Sequence, residues 1–332
     1  MVVPDMGRVH GSGRAVATDH LRLLARVARM YHEQGMRQPE IAAALSISQP
    51  RVSRLLKEAS TRGIVRTVVV LPEGVHTELE EGLQRRYALR DAVVVDADGA
   101  QGDVIPALAS AAAAYFDTTF KGGDVIGISS WSETLLAAVD RMHPKSVQVA
   151  DRVMQVVGGV GSPEAQVHAT RLISRLADVT RARPVFVPSA GVVGTPVVRD
   201  ALLQDAAVVD VMSQWRELTL VLVGIGSLEP SPLLLRSGNA VSQADQEELR
   251  SLGAVGDVCL HFFDAEGNVV DSAFDRRVVG ISVETFRSVE RRVAVAGGER
   301  KYSAIKAALR GGWVNVLITD LEVARRLLAD PA

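Results

Sequence analysis

A short Val-rich run, a glycine turn and then a helical stretch form a unit that recurs from Asp91 onward. Strands are expected at Ala92–Val95, Val125–Ile128, Val153–Val157, Pro184–Val187, Leu218–Val223, Val258–Phe263, Arg292–Ala296 and Val314–Ile318. Val104–Phe120, opened by Pro106, reads as an Ala-rich helix. SSWSETLLAAV, GGVGSPEAQVHATRLISRLA, GGERKYSAIKAAL and Leu321–Leu328 supply others. Strands that are apolar throughout, rather than alternating, are buried on both faces. Alternation on this scale predicts an α/β domain, a doubly wound and mostly parallel sheet with helices on both faces. Aromatic residues make up only 4% of the chain, so the core must be aliphatic.

In such sheets ligands bind at the carboxyl ends of the strands. Four glycine turns are expected there: Gly127-Ile128-Ser129-Ser130, Gly158-Gly159, Gly224-Ile225-Gly226-Ser227 and Gly297-Gly298. Glycine lets backbone N–H groups turn toward an anion, and a following helix N-terminus adds positive potential. Ser129, Ser130, Ser132 and Thr134 supply hydroxyls beside the first turn, and Lys301 a full charge after the last. Together they suggest a phosphate pocket, although a tight turn needs glycine in any case. His261, in the Val258–Phe263 run near Asp257, either lines this pocket or is structural.

The first seventy residues differ in kind. His20–Gln34 is helical, with Leu21, Leu24, Ala25, Ala28 and Tyr31 on one face and Gly35 as its stop. Gln38–Leu45 is a short second helix facing inward through Ile41, Ala42 and Leu45. Ser46-Ile47-Ser48 is a turn, Ser48 a good N-cap, and Pro50 sits where its missing N–H costs little. The third helix runs from about Gln49 to Arg62, turning Val52, Leu55 and Leu56 inward. Gln49, Arg51, Ser53, Arg54 and Lys57 are left outside, and Ile64–Leu71 follows as a wing-like strand. This is a winged helix-turn-helix pattern, which places the start of the third helix against base edges in the major groove. Arg and Gln make bidentate contacts to guanine and adenine, while Lys57 and Arg62, further along, suit phosphates.

Charge agrees. From Arg14 to Val70 ten Lys/Arg face four Asp/Glu. Asp5 and Arg8 cancel before that stretch, so with −2 overall the chain from Leu71 onward carries −8. A basic head on an acidic body points to a polyanionic partner for the head. The expected units are 14–71 (DNA binding), 72–90 (a linker helix at Thr77–Tyr87) and 91–332 (effector binding). Leu79, Leu83 and Tyr87 on the linker helix either pair with a second subunit or belong to a plain surface helix.

Several classes are excluded as expectations. No run of about 18 apolar residues occurs, so no membrane span is expected, and MVVPDMGRVHGSGR lacks the apolar stretch of a signal peptide. The single cysteine, Cys259, fits the reducing cytoplasm and a buried role. Seven scattered His residues form no metal-binding spacing, and neither GxSxG nor a Walker-type loop is present, so no metal, cofactor or catalytic residue is assigned.

These stretches resemble one family over nearly the whole chain. QPEIAAALSISQPRVSRLLKEASTRGIV, GDVIGISSWSETL, MQVVGGVGS, VLVGIGS, GAVGDVCLHFFDAEGNVV and AGGERKYSAIKAALRGGWVNVLITDLEVARRLL are similar to the SorC family of bacterial sugar-responsive transcription regulators. The resemblance implies an effector domain like ribose-5-phosphate isomerase and glucosamine-6-phosphate deaminase, kept for binding. It also implies phosphorylated sugars as effectors and a homo-oligomer, dimer or tetramer, on operator DNA. By motif, phosphate is expected near Ser129, Ser130, Ser132, Thr134, Gly158 and Gly159. Asp257 is expected to accept bonds from sugar hydroxyls, and Lys301 to pair with the phosphate or a nearby hydroxyl. The first loop departs from the common glycine-rich GxSWGxT form in carrying Glu133, which is expected to face away from an anion. A phosphosugar isomerase or deaminase with a DNA-binding head is the alternative; it requires a paired acid and base, for which Asp257 and His261 are the only candidates.

Overall fold

The computed structural model describes residues 12–65, 74–97, 103–159, 163–229 and 241–330. The chain divides into two compact units, Met1–Val70 and Leu71–Ala332.

In the first unit, α1 (Ser12–His32), α2 (Gln38–Leu45) and α3 (Gln49–Thr61) enclose a core of Leu24, Val27, Ile41, Val52, Leu55 and Ala59. Leu21 and Tyr31 are exposed where burial was expected, and Val27 and Met30 take their place, so the inward face of α1 is rotated from the expected one. The α2–α3 turn is tightened by Ser46 at φ 54°, in the left-handed region. Ser48 does occupy the N-cap of α3, with Pro50 in the first turn, but its hydroxyl accepts no capping bond. His20 Nε2 lies 3.0 Å from Glu58 Oε1 and ties α1 to α3. The expected wing falls outside the described residues beyond Val65.

The second unit opens with α4 (Thr77–Tyr87), then β1 (Asp91–Val95), α5 (Ile105–Thr119), β2 (Asp124–Ile128), α6 (Glu133–Arg141) and β3 (Ala150–Gln155). α7 (Pro163–Thr180), β4 (Arg183–Val185), α8 (Pro196–Leu202), α9 (Ala206–Gln214), β5 (Leu220–Val223), β6 (Gly226–Ser227) and α10 (Gln243–Ser251) follow. The last elements are β7 (Gly256–Val258), β8 (His261–Phe263), α11 (Val283–Ser288), β9 (Arg291–Val295), α12 (Tyr302–Arg310), β10 (Val316–Asp320) and α13 (Leu321–Ala329). Seven strands form one sheet in the order β1-β10-β9-β5-β2-β3-β4, with every pair parallel. One face is covered by α5, α6 and α7 through Leu108, Phe116, Leu135 and Leu172; the other holds Trp215, Phe263, Trp313 and Leu327. Connections leave β2 toward β3 and leave β5 toward β9, so the order reverses between β2 and β5. Such a switch point opens a crevice at the carboxyl ends.

Two expectations change. The run Val258–Phe263 is not one strand. It breaks at Cys259 and Leu260 (φ 54° and 67°) into an antiparallel hairpin, β7–β8, which joins β6 in a separate three-stranded sheet. Both turn residues are left-handed, as in the tight turns that usually carry Asn or Gly, so no sequence signal marks the reversal. The apolar stripe of α4 serves its own unit. Leu83 is buried, Leu79 and Tyr87 pack on the same core, and the Tyr87 hydroxyl donates to Leu327 O at 3.2 Å. Gly82 lets α4 approach α13, since a Cβ there would lie 3.0 Å from Leu328 Cδ1.

Candidate effector site and DNA-reading helix

At the carboxyl edge of the sheet, where its order reverses, lies a cavity of about 490 Å³. After β2 it is lined by Ser129, Trp131, Ser132, Glu133 and Thr134; after β5 by Gly224, Ile225, Gly226 and Ser227; after β9 by Gly297 to Lys301. Asp257, Cys259 and Leu260 of the hairpin close one wall, and Val104, Ile105 and Leu108 at the start of α5 close another.

Each wall has a local reason. Ser132 N-caps α6, its hydroxyl accepting from Leu135 N at 3.2 Å, which brings that helix N-terminus to the cavity. Asp320, buried at the end of β10, accepts from Glu322 N (3.1 Å) and Val323 N (3.0 Å) through Oδ1 and from Gly298 N (2.7 Å) through Oδ2. One carboxylate therefore caps α13 and pins the turn that presents Lys301. It also takes the Gly298 N–H that an anion would need. Gly226 must lack a side chain, because its Cβ would stand 1.9 Å from Asp257 Oδ1. Asp257 Oδ2 accepts from Leu260 N at 3.0 Å, across the hairpin turn.

Burial pushes the Asp257 carboxyl up to about 6, opposed by the Leu260 N–H and by the charges of Lys301 and His261. Burial pushes the Lys301 ammonium below the ordinary lysine value, while the Asp257 and Glu133 carboxylates pull it back. Burial, reinforced by Asp257, holds the Cys259 thiol far above the ordinary cysteine value.

Of the nine residues expected at the effector site, Ser129, Ser132, Thr134, Asp257 and Lys301 meet around this cavity. Ser130, Gly158, Gly159 and His261 do not line it. Ser130 is buried beneath, its hydroxyl without a partner. Gly158 and Gly159 sit in close packing: a Cβ on Gly158 would lie 2.4 Å from the backbone O of Ala190, and one on Gly159 2.1 Å from the Gln155 side-chain Nε2. His261 is held on the far side of the hairpin, Nδ1 2.9 Å from Asp275 Oδ1 and Nε2 2.7 Å from Ile281 O, and its ring stacks on Trp313. Glu133, expected to face away, lines the cavity opposite Lys301's charge. The start of α5 and the Cys259–Leu260 turn were missed. The position of α5 after β1 was a usable signal for the first; the second had none. Among the described residues no cluster is arranged to hold a metal.

In the head, Gln49, Arg51, Ser53, Arg54 and Lys57 are all exposed on α3. Arg62, expected to meet phosphate, is half-exposed and pairs with Glu58 at 2.8 Å. No described helix is long and apolar enough to cross a membrane.

Residues 74–329, which take in α4 and the whole sheet, match the Sugar-bind family of sugar-binding domains. The chain belongs to the SorC family of transcription regulators. It is similar to the deoxyribonucleoside regulator of Bacillus subtilis, at 32% identity over 93% of this chain and 98% of that one. The sorbitol operon regulator of Klebsiella pneumoniae is 30% identical over 94% of this chain and 99% of that one. The erythritol catabolism regulatory protein EryD of Brucella abortus is 32% identical over 96% and 99%. The crystal structure of full-length SorC from Klebsiella pneumoniae superposes with a TM-score of 0.71, at 28% identity, over 93% of this chain and 98% of that one. These relatives are named as regulators rather than enzymes, and the buried, doubly bonded His261 supplies no acid or base at the cavity.

Proposed function

We propose that the chain is a cytoplasmic transcription regulator whose α3 reads operator DNA and whose cavity takes a phosphorylated sugar that sets operator affinity. One observation carries the effector half: Ser129, Ser132 and Thr134 from one loop, with Asp257 and Lys301 from two distant stretches of sequence, converge on one cavity. Its volume is in the range of small-ligand sites. Phosphate sits at the α6 N-terminus with the serine and threonine hydroxyls and Lys301; Asp257 accepts from sugar hydroxyls. Two copies act together, because helix-turn-helix heads read half-sites about 10 base pairs apart or a multiple of that.

A second reading rests on Glu133, which lines the cavity alongside Asp103, Glu229, Asp257 and Glu299 against only Arg300 and Lys301. So many carboxylates favour hydroxyl donors over a second negative charge, and two relatives are named for sorbitol and erythritol, both free polyols. Calorimetry with matched sugars and sugar phosphates separates the readings. The phosphate reading expects much tighter binding of the phosphorylated member, and a loss of about 1.5–3 kcal/mol in Lys301→Ala, the range for a bond to a charged group. Equal affinity for both members, with Lys301→Ala responding normally, moves the assignment to a polyol.

A further inference from the structure

α4 is tied to the edge strand β1 at three levels. His76, just ahead of the helix, has Nε2 2.9 Å from Asp96 Oδ1. Glu80 Oε1 accepts from Val94 N at 3.0 Å, and Gln84 Nε2 donates to Asp91 Oδ1 at 3.5 Å. As the helix advances its strand partners retreat, so only the first tie stands at the carboxyl edge, the edge that holds the cavity. His76 also follows closely on Val70, where the first unit ends. Gly74 is left-handed at φ 77°, and a Cβ there would lie 3.5 Å from Asp96 Oδ2, so the second carboxylate oxygen also sits beside the incoming chain.

From Asp96 a short path leads to the turn that presents Lys301. Gly298 N donates to Asp320 Oδ2 at 2.7 Å. Asp320 is the register partner of Val95 in the β1–β10 ladder, and Asp96 is the next residue. The cavity turn, the end of β10, the end of β1 and His76 thus form one contiguous run of contacts, the kind of path that carries coupling between separated sites. The His76–Asp96 pair adds little stability, because Asp96 is 39% exposed and exposed ion pairs contribute little. What the pair fixes is where the chain coming from the head meets the sheet.

We infer that His76 and Asp96 are positioning residues that pass the state of the cavity to the segment leading to the head. Breaking the pair then uncouples operator affinity from the effector and leaves both binding events intact, since neither residue lines the cavity or belongs to the head. This rests on the reading that an effector in the cavity sets operator affinity.

The test is operator affinity by anisotropy on the full-length chain, alone and with ribose 5-phosphate, glucosamine 6-phosphate, sorbitol or erythritol as probes. Three variants are compared, each checked for native circular dichroism and melting temperature. Coupled sites change one another's affinity by about 5–150-fold. The wild type is expected to change by about fivefold or more with at least one probe, and His76→Ala to bring that ratio to within about twofold of one. Calorimetry is expected to show that His76→Ala still binds the probe. His76→Gln, whose amide keeps a donor toward Asp96, is expected to restore the response. His143→Ala, which breaks a pair of the same 2.9 Å length with Asp117 at the far ends of α5 and α6, is expected to leave it unchanged. A His76→Ala variant that responds like the wild type, or a loss shared by His143→Ala, overturns the inference while the effector reading stands. Failure of His76→Gln to respond overturns the bond to Asp96 as the carrier. A wild type that answers to none of the probes overturns the effector reading and the inference with it.

Discussion

Asp257 and Lys301 face the same cavity with opposite responses to burial. The Asp257 carboxyl is raised to about 6 by burial, above the ordinary value of about 4. The folded state therefore holds this proton longer than the unfolded chain does. Its contribution to stability is full below about pH 4 and is lost as pH rises through 6. Asp257→Asn has no such titration, so its melting temperature relative to wild type is expected to climb between pH 4 and pH 7. Parallel melts of the two proteins check this, and a difference that stays flat across that window removes the assignment. In the head, Arg51→Ala or Arg54→Ala should weaken specific operator binding by about 1–3 kcal/mol and relax sequence preference, whereas Lys57→Ala should weaken all sequences alike. Anisotropy titrations on operator and scrambled duplexes distinguish the two patterns, and arginine variants that bind like wild type would show that α3 is not the reading helix.

The elements that hold the cavity differ in how far they can be read from residues. The parallel strands were legible because β2, β5 and β10 are built on the apolar runs Val125–Ile128, Leu220–Val223 and Val316–Ile318, and the α5, α6 and α12 helices because periodicity follows each turn. Strand ends moved by a few residues: β3 begins at Ala150, ahead of Val153, where polar Asp151 and Arg152 hide the pattern. The β7–β8 hairpin was illegible, since nothing in Val-Cys-Leu-His-Phe announces a reversal. Misreading it as one strand left open a cavity role for His261, which the reversal carries to the other side. Gly158 and Gly159 misled for a related reason: glycine is needed both for close backbone approach and for anion binding, and only the distance to Ala190 and Gln155 separates the two. The Gly297–Lys301 turn makes a prediction at this scale. Asp320→Ala removes an N-cap of α13 and the acceptor for Gly298 N, and should cost about 2 kcal/mol, the upper end for a lost cap. It should also weaken effector binding by releasing Lys301, while operator affinity stays that of the head. Denaturant titration and calorimetry read the two effects, and unchanged effector affinity would show that the turn is positioned by other contacts.

Across the whole molecule, charge is divided between the two units, +6 from Arg14 to Val70 and −8 from Leu71 onward. Two binding events on one chain should then answer salt differently. Phosphate contacts of the head release counterions, so the logarithm of operator affinity should fall with the logarithm of salt by about 0.9 per phosphate neutralised. The cavity has no broad positive field, and its contacts are enclosed, so effector affinity should change far less over the same range. Measuring both constants between low and physiological salt tests the division; parallel slopes would mean that effector attraction is a surface field after all.

The left-handed turn at the cavity wall has a practical consequence. Cys259 is the only sulfhydryl in 332 residues, and it is buried in the wall of the chamber, so a small alkylating reagent should react with it only when that chamber opens. Its protonated state makes the reaction slow, so the modification rate tracks the fraction of time the chamber stands empty and open. The native chain thus carries its own footprinting label: screening candidate sugars by mass spectrometry of that one adduct needs no engineered residue, no dye and no knowledge of the operator.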